Sequence, residues 1–409
     1  MTAGPSLWFA AASGLCALFW IRAAWLALRS ERFVDDLGAV APEPPSGGWP
    51  SLAVVAPARD EAAGVERAVR SLLSQDYPDL AVVAVDDRSV DGTGAILDRL
   101  AAEVPGRLRV VHVRELPVGW LGKNHACEKG VAAAPSRWIL FTDGDVVFAP
   151  QAFRKAVAYA ESRRLGHLAA VPRFVAPGLW ERGFVAAFGT FANLWLKPWE
   201  LRRPKTTGFV GVGAFNLVLR EAYLAAGGHR ALRLVAVDDL KLGLVLRRSG
   251  VRQGVVRAGD LVSVRWACGF LASWRGLLKN AFAAAEYRWS LTLLASASLA
   301  GLSLWPWLAL GFGEGLSRAL GLAAVLVSSA VVSATARRLA GGTGAEGLLL
   351  PATGAALAAA LFASAAAASL GGHVTWRGTR YPLEALRRGC VRAERFPAGA
   401  AVGWDPRWW

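Results

Sequence analysis

Apolar residues gather in four long stretches of the chain, and between the first and second stretch the pattern changes to short apolar runs separated by polar, helix-patterned segments. Leu7 to Leu28 contains one charge, Arg22, over about 22 residues, enough to cross a hydrocarbon layer of about 30 Å. Leu291 to Gly313, Ala319 to Ala336 and Leu348 to Gly372 are uncharged runs, each about 18 residues or longer, a length that a buried soluble helix seldom reaches without a charge. The pattern therefore predicts one membrane helix at residues 1–28, a linker at 29–50, a hydrophilic domain at 51–290, three membrane helices within 291–372 and a basic tail at 373–409. A cleaved leader would start with basic residues; here Arg22, Arg29 and Arg32 follow or interrupt the apolar core instead. The positive-inside rule places the middle domain in the cytoplasm. Four crossings would then leave the tail outside, although Arg377, Arg380, Arg387, Arg388, Arg392 and Arg395 argue for an inside location.

Within the middle domain, Ser51 to Pro57 and Leu80 to Val85 have strand length and composition, as do Leu108 to Val113 and Trp138 to Thr142. Helical patterns lie between them at Asp60 to Ser74, Gly94 to Ala102 and Lys123 to Ala133. Alternating strands and helices predict an α/β domain with a mainly parallel sheet. Ligands of such sheets bind beyond the carboxyl ends of the strands. Polar residues collect at those ends: Arg59 to Glu61, Asp86 with Asp87, and Asp143 with Asp145.

Composition narrows the class. With 54% hydrophobic and 19% charged residues, the chain is not disordered, and so much apolar material argues against a purely soluble enzyme. The formal charge of +15 would suit nucleic acid, anionic lipid or a phosphorylated substrate. Basic residues concentrate beside the membrane segments and no nucleic-acid recognition motif is present, which disfavours nucleic acid. Four scattered cysteines form no CxxC pair and fit a reduced compartment.

The middle domain has neither GxGxxG nor GxxxxGK[ST], so a nucleotide bound there would be held by carboxylates and a metal rather than a glycine cradle. Asp143-Gly144-Asp145 offers hard oxygen ligands for Mg²⁺ or Mn²⁺ at a strand end. Asp87 is placed to accept hydrogen bonds from a base or ribose, while Ser89 and Asp91 read as caps of the next helix. Gly122 and Lys123 open a helix whose free N–H groups favour an anion, whereas His125 reads as structural. In Asp238-Asp239, ahead of the helical pattern Leu240 to Arg248, each carboxylate raises the other's pKa, which suits one of them to general-base work. Gly208 to Gly213, including Gly211 and Gly213, would let the backbone approach a bound group closely. Two stretches near 180–199 and 270–288 read as interfacial: Phe184 to Leu196 is too short to span and has Trp180, Trp195 and Trp199 around it, and Phe270 to Phe282 mixes apolar and basic residues.

Together these motifs resemble glycosyltransferase family 2, membrane-bound enzymes with the GT-A fold. The resemblance runs from about Ser51 to Ser290 through PARDE (Pro57 to Glu61), LLSQDYPD, VDDRSVDGT, GWLGKNHA (Gly119 to Ala126, with Trp120), DGD, AGGHRAL and VDD. GWLGK and the late WRGTRYPL look like the hopanoid-associated and carotenoid-type branch, which acts on lipids. The resemblance implies an inverting transfer from a UDP- or GDP-sugar to a lipid at the cytoplasmic face of the inner membrane. It gives Asp87 the base, Asp145 the metal, Asp143 the ribose and a share in the metal site, and Lys123 the phosphates. Pro57, Arg59 and Glu61 fall with the nucleotide contacts, and Asp239 is the base, with Asp238, Gly211, Gly213 and Trp120 on the acceptor side. Processive synthases of the family carry QxxRW, but here Val262 stands where Gln precedes Arg265-Trp266. Processive synthesis and a catalytically silent scaffold remain the competing readings.

Overall fold

The computed structural model describes residues 5–202 and 208–392; Arg395 and the rest of the tail beyond 392 lie outside the described residues. The chain divides into two compact units, each built from separated segments. The first unit comprises Met1–Phe33, Phe174–Lys197 and Trp266–Trp376; the second comprises Val34–Arg173, Pro198–Arg265 and Arg377–Trp409. This division departs from the contiguous 51–290 domain read from the sequence. Phe184 explains part of the difference, because its ring packs on Trp266 at 6.4 Å and Phe270 at 5.3 Å, within the first unit.

Among the described residues of the first unit, four helices are long and apolar enough to cross a membrane: Leu7–Phe33, Trp289–Phe312, Gly315–Ala340 and Ala345–Gly371. Small residues let them approach closely, as membrane helices commonly do. A Cβ on Gly354 would collide with the Ser303 side chain, so the glycine lets the Ser303 hydroxymethyl of the neighbouring helix pack onto its backbone. Buried Trp20 donates its indole N–H to the Leu302 carbonyl at 3.0 Å, satisfying the one polar atom of an otherwise apolar side chain. The stretch read as interfacial at Phe184 to Leu196 belongs to a helix, Leu179–Leu196, of this unit.

The second unit is a sheet covered on both faces. Its strands are β1 (Asp35–Asp36), β2 (Leu52–Ala58), β3 (Leu80–Asp87), β4 (Leu108–Val113), β5 (Trp138–Phe141), β6 (Val147–Phe148), β7 (His167–Phe174), β8 (Asn216–Leu219) and β9 (Gln253–Val264). Among the described residues they run β1-β9-β7-β8-β5-β2-β3-β4, with β6 paired to β9. β5, β2, β3 and β4 are mutually parallel, and β8 runs antiparallel to both β5 and β7. β2 is a near-continuous apolar run because both its faces are covered. Leu52, Val54 and Ala56 join one core, whereas Ala53 and Val55 join the other, following the two-residue period of a strand.

The helices that cover the sheet carry the matching pattern. Val65–Leu73 buries Val65, Ala68, Val69 and Leu72 and turns Glu66 and Arg70 outward, where they join Arg99 and Glu103 in an ion-pair network. Gly122–Ala133 packs tightly over β2 and β3, since a Cβ on Gly130 would sit 2.4 Å from Val55 Cγ1. That contact fixes where the helix begins, and thus where Lys123 emerges.

Candidate active site

Three neighbouring parallel strands, β5, β2 and β3, end side by side, and each delivers acidic or basic groups to the same edge. β3 continues two residues further than its apolar run, so Asp86 and Asp87 are its last members. Asp86 faces away from the site's centre: it accepts from Ser89 N at 3.2 Å and meets His112 Nδ1 at 3.0 Å. Asp91 is not the cap of the helix Thr93–Glu103, whose N-cap is Gly92; it stands one residue before that cap and accepts from Thr93 N at 3.1 Å in the turn that leads in. Ser89 does not cap the helix either. Its hydroxyl instead accepts the backbone N–H of Asp60 at 3.1 Å, pinning the turn after β2, where Asp60 has a positive φ of 53°.

Lys123 is the centre of the arrangement. Its Nζ lies 2.7 Å from Asp143 Oδ1 and 3.5 Å from Asp238 Oδ2. Burial works against its charge, but Asp143, Asp238 and Asp239 together outweigh burial and hold the ammonium well above the usual lysine range. The helix expected from Leu240 starts earlier, at Asp238, which puts both carboxylates in its first turn, where the helix dipole favours them. Burial pushes both carboxyls above the ordinary carboxylate range, with Lys123 pulling them back and Asp143 adding to the rise.

The glycines near this pair have distinct jobs. Gly211 does not make room for a bound group, as the sequence reading had it: a Cβ there would lie 1.9 Å from the Asp239 carbonyl oxygen. Gly243 is the reciprocal case, its Cβ falling 1.6 Å from the Val210 carbonyl oxygen. The loop and the helix therefore touch backbone to backbone. Gly213 does border the site, because a Cβ there would meet Asp143 Oδ2 at 2.7 Å and Asp239 Oδ2 at 3.2 Å. A hollow here is lined by the polar Lys123, Thr142, Asn216, His229, Asp238 and Asp239, with Gly213, Cys127, Phe141 and Leu242 completing its wall. Asn216 donates to the Asp239 carbonyl at 3.3 Å.

Asp145, Glu61 and Asp87 stand outside that hollow. Burial, then Asp143 and Glu61, push Asp145 up to about 6. Among the described residues no cationic side chain forms an ion pair with Asp145, and no three His, Cys, Asp or Glu side chains form a cage for a metal. A crowded carboxylate of this kind, next to a second one, fits the Mg²⁺ or Mn²⁺ mode in which one or two protein carboxylates hold the ion and substrate phosphates complete its shell. Asp143 and Asp145 are the residues that fit.

Asp87 is gripped by Arg88, whose Nε and one terminal nitrogen donate to its two oxygens at 2.8 and 3.1 Å, and Arg59 stands 3.9 Å away. Its carboxylate also presses on the helix start, since a Cβ on Gly122 would lie 2.2 Å from Asp87 Oδ2. Arg59 Nε is buried without a hydrogen-bond partner, as is His125 Nδ1, whose ring meets Trp120 edge-on at 5.5 Å. The Pro57 carbonyl lies against Gly144, 3.1 Å from where a Cβ would be. The late segment of the chain reaches this side too: Arg377 pairs with Glu61, and Tyr381 lies near Arg88. Sequence reasoning gave no role to Arg88, Arg377, Tyr381, Asn216 or His229. The AGGHRAL and WRGTRYPL motifs were the available signals, and neither reveals what its side chains face.

Residues 53–224 match the Glycosyl transferase family 2 model. Over these residues the chain is similar to the family 2 glycosyltransferases. The 4,4'-diaponeurosporenoate glycosyltransferase of Staphylococcus aureus strain MRSA252 is 27% identical to the chain over 195 residues, covering 47% of this chain and 50% of that protein. The chain thus spans about half the length of the curated relatives it matches. In three dimensions it is similar to a mannosyltransferase from Pyrobaculum calidifontis solved with GDP-Man and Mn²⁺, at a TM-score of 0.54 and 21% identity, over 88% of this chain and 98% of that one. That likeness is one of fold, the GT-A fold, and covers more of the chain than residues 53–224.

Proposed function

We propose that the chain is an inverting glycosyltransferase that moves one sugar from a UDP- or GDP-sugar to the hydroxyl of a lipid acceptor at the cytoplasmic face of the cell membrane. The observation that carries this reading is the Asp238-Asp239 pair, the first buried and the second half-buried, with Asp238 tied through Lys123 to Asp143 at the carboxyl end of β5. The family 2 likeness and the membrane-length helices support it, as does the relative named for glycosyl transfer involving 4,4'-diaponeurosporenoate.

On this reading Asp87, with Arg59 beside it, receives the nucleoside together with Glu61, and Lys123 and the N-terminus of its helix face the diphosphate. Asp239, its pKa raised by burial, takes the proton of the acceptor hydroxyl. The hydroxyl oxygen bonds to the anomeric carbon as the bond from that carbon to the phosphate oxygen breaks, and the electron pair leaves with the nucleoside diphosphate. Attack opposite the leaving group inverts the carbon. Asp143 and Asp145 would hold Mg²⁺ or Mn²⁺, which supplies charge neutralisation for the diphosphate.

Purified protein incubated with membrane lipid, labelled nucleotide sugar and Mn²⁺ or Mg²⁺ tests the proposal. A single sugar added to lipid is the expected product; a ladder of lengths would favour a processive synthase. Full activity in Asp239→Asn would overturn the mechanism, and absence of any metal-dependent donor binding would leave the chain a silent scaffold.

A further inference from the structure

His229 and Tyr223 lie under the acidic pair and have no part in the reaction as written. Both are almost fully buried, and Phe141 packs against their rings at 4.8 and 5.3 Å. His229 Nε2 faces Asp238 Oδ2 at 4.0 Å, while its Nδ1 is 2.9 Å from the Tyr223 hydroxyl. The same hydroxyl oxygen accepts the backbone N–H of His229 at 2.9 Å. Gly228 makes this crossing possible, because its φ of +55° suits glycine and a Cβ would meet the Tyr223 ring at 2.7 Å.

The phenol has one proton to give. Its two acceptors are His229 Nδ1 at 2.9 Å and Glu128 Oε2 at 3.4 Å, and Glu128 already pairs with Arg230 at 2.7 Å through its other oxygen. The shorter contact takes the proton, which makes Nδ1 an acceptor and leaves the ring proton on Nε2. Burial, followed by Lys123, pushes His229 down to about 3, so the ring is neutral. A bare lone pair on Nε2 would oppose the Asp238 carboxylate; an N–H there attracts it.

We propose that His229 is a positioning residue: Tyr223 locks it as the Nε2–H tautomer, and that N–H holds the Asp238 carboxylate toward Lys123, leaving Asp239 to face the acceptor. At 4.0 Å the hold is that of an oriented dipole rather than a direct hydrogen bond, and it is strengthened by the dry surroundings. The kinetic half of this inference rests on the glycosyltransferase reading; the tautomer does not.

The test uses the full-length protein in detergent with ¹⁵N-histidine, its five imidazoles resolved by long-range ¹H–¹⁵N spectra and His229 assigned from the signal lost in His229→Gln. The expected spectrum shows a neutral Nε2–H ring in the wild type, and in Tyr223→Phe a loss of that single tautomer. A wild-type Nδ1–H or charged ring overturns the inference. Kinetically, Tyr223→Phe should lower kcat about 10-fold with the donor KM within about twofold, and His229→Leu should lose about 100-fold, whereas His229→Gln, which restores an N–H at that reach, recovers most of it. Equal losses in Gln and Leu would also overturn the inference. A wild type that transfers no sugar would sink the glycosyltransferase reading and leave the tautomer to decide this one.

Discussion

Lys123 Nζ and Asp143 Oδ1 are 2.7 Å apart, a contact that joins the start of one helix to the end of β5. Because the same ammonium is 3.5 Å from Asp238, one cation serves carboxylates from two ends of the domain.

Removing that cation should therefore cost stability as well as activity. Lys123→Ala is expected to destabilise the protein by roughly 1–3 kcal/mol, the usual cost of removing one partner from charged hydrogen bonds at a half-buried site. The loss should be larger at pH 8 than at pH 5, because Asp238 and Asp239 hold protons more readily than ordinary carboxylates and need less neutralisation in acid. Thermal unfolding in detergent at the two pH values checks this.

Asp145 gives a second pH-dependent signal. Its folded pKa of about 6 is above the ordinary 3.8, so the native state binds the proton more tightly than the unfolded chain. The stability it contributes is full below about 3.8 and is lost as pH rises through about 6. Mn²⁺ added at pH 7.5 should raise the melting temperature, and the rise should shrink toward pH 5, where the ion competes with a proton. In Asp145→Asn both the pH dependence across that window and the Mn²⁺ response should be lost.

Asp239→Asn should lower kcat by about 10²- to 10⁴-fold, the range for loss of a general base, while donor binding measured by calorimetry stays near that of the wild type. Asp238→Asn should cost less, since its part is to face Lys123 and His229. A larger loss at Asp238 would exchange the two roles.

Gly211 and Gly213 are two residues apart, yet their alanine variants should fail differently. Gly211→Ala drives a methyl into the Asp239 backbone and should prevent normal folding, seen as lost expression or a collapsed melting transition. Gly213→Ala meets the ends of two side chains, so the protein should fold and melt near normal while turnover falls.

Much of this site is legible in the sequence because burial on both sides writes parallel strands as plain apolar runs, and the acids follow directly after them. Asp87, Asp143 and Asp145 needed only that rule. The four membrane helices are equally plain, since length without charge has few other causes. Strand prediction stops at Thr142, however, and β7, β8 and β9 had no clear signature. β9 mixes buried and exposed positions without a strict alternation, and β8 has four residues. The packing of Phe184 and Phe270 with Trp266 joins segments far apart in the chain, which no local pattern encodes. Gly211 was misread for a related reason: a sequence shows that glycine permits close approach, but not whether a ligand or a helix does the approaching.

The pairing of β1 with β9 matches Asp35 to Val256 and Asp36 to Arg257. As a ribosome makes the chain, this two-residue edge emerges early and has nothing to bind until the template strand follows much later. The rim of the sheet must consequently be sealed only once Gln253–Val264 has been made, after the Leu179–Leu196 helix. A polypeptide stalled before β9 would present an open margin, making it the natural prey of chaperones and proteases.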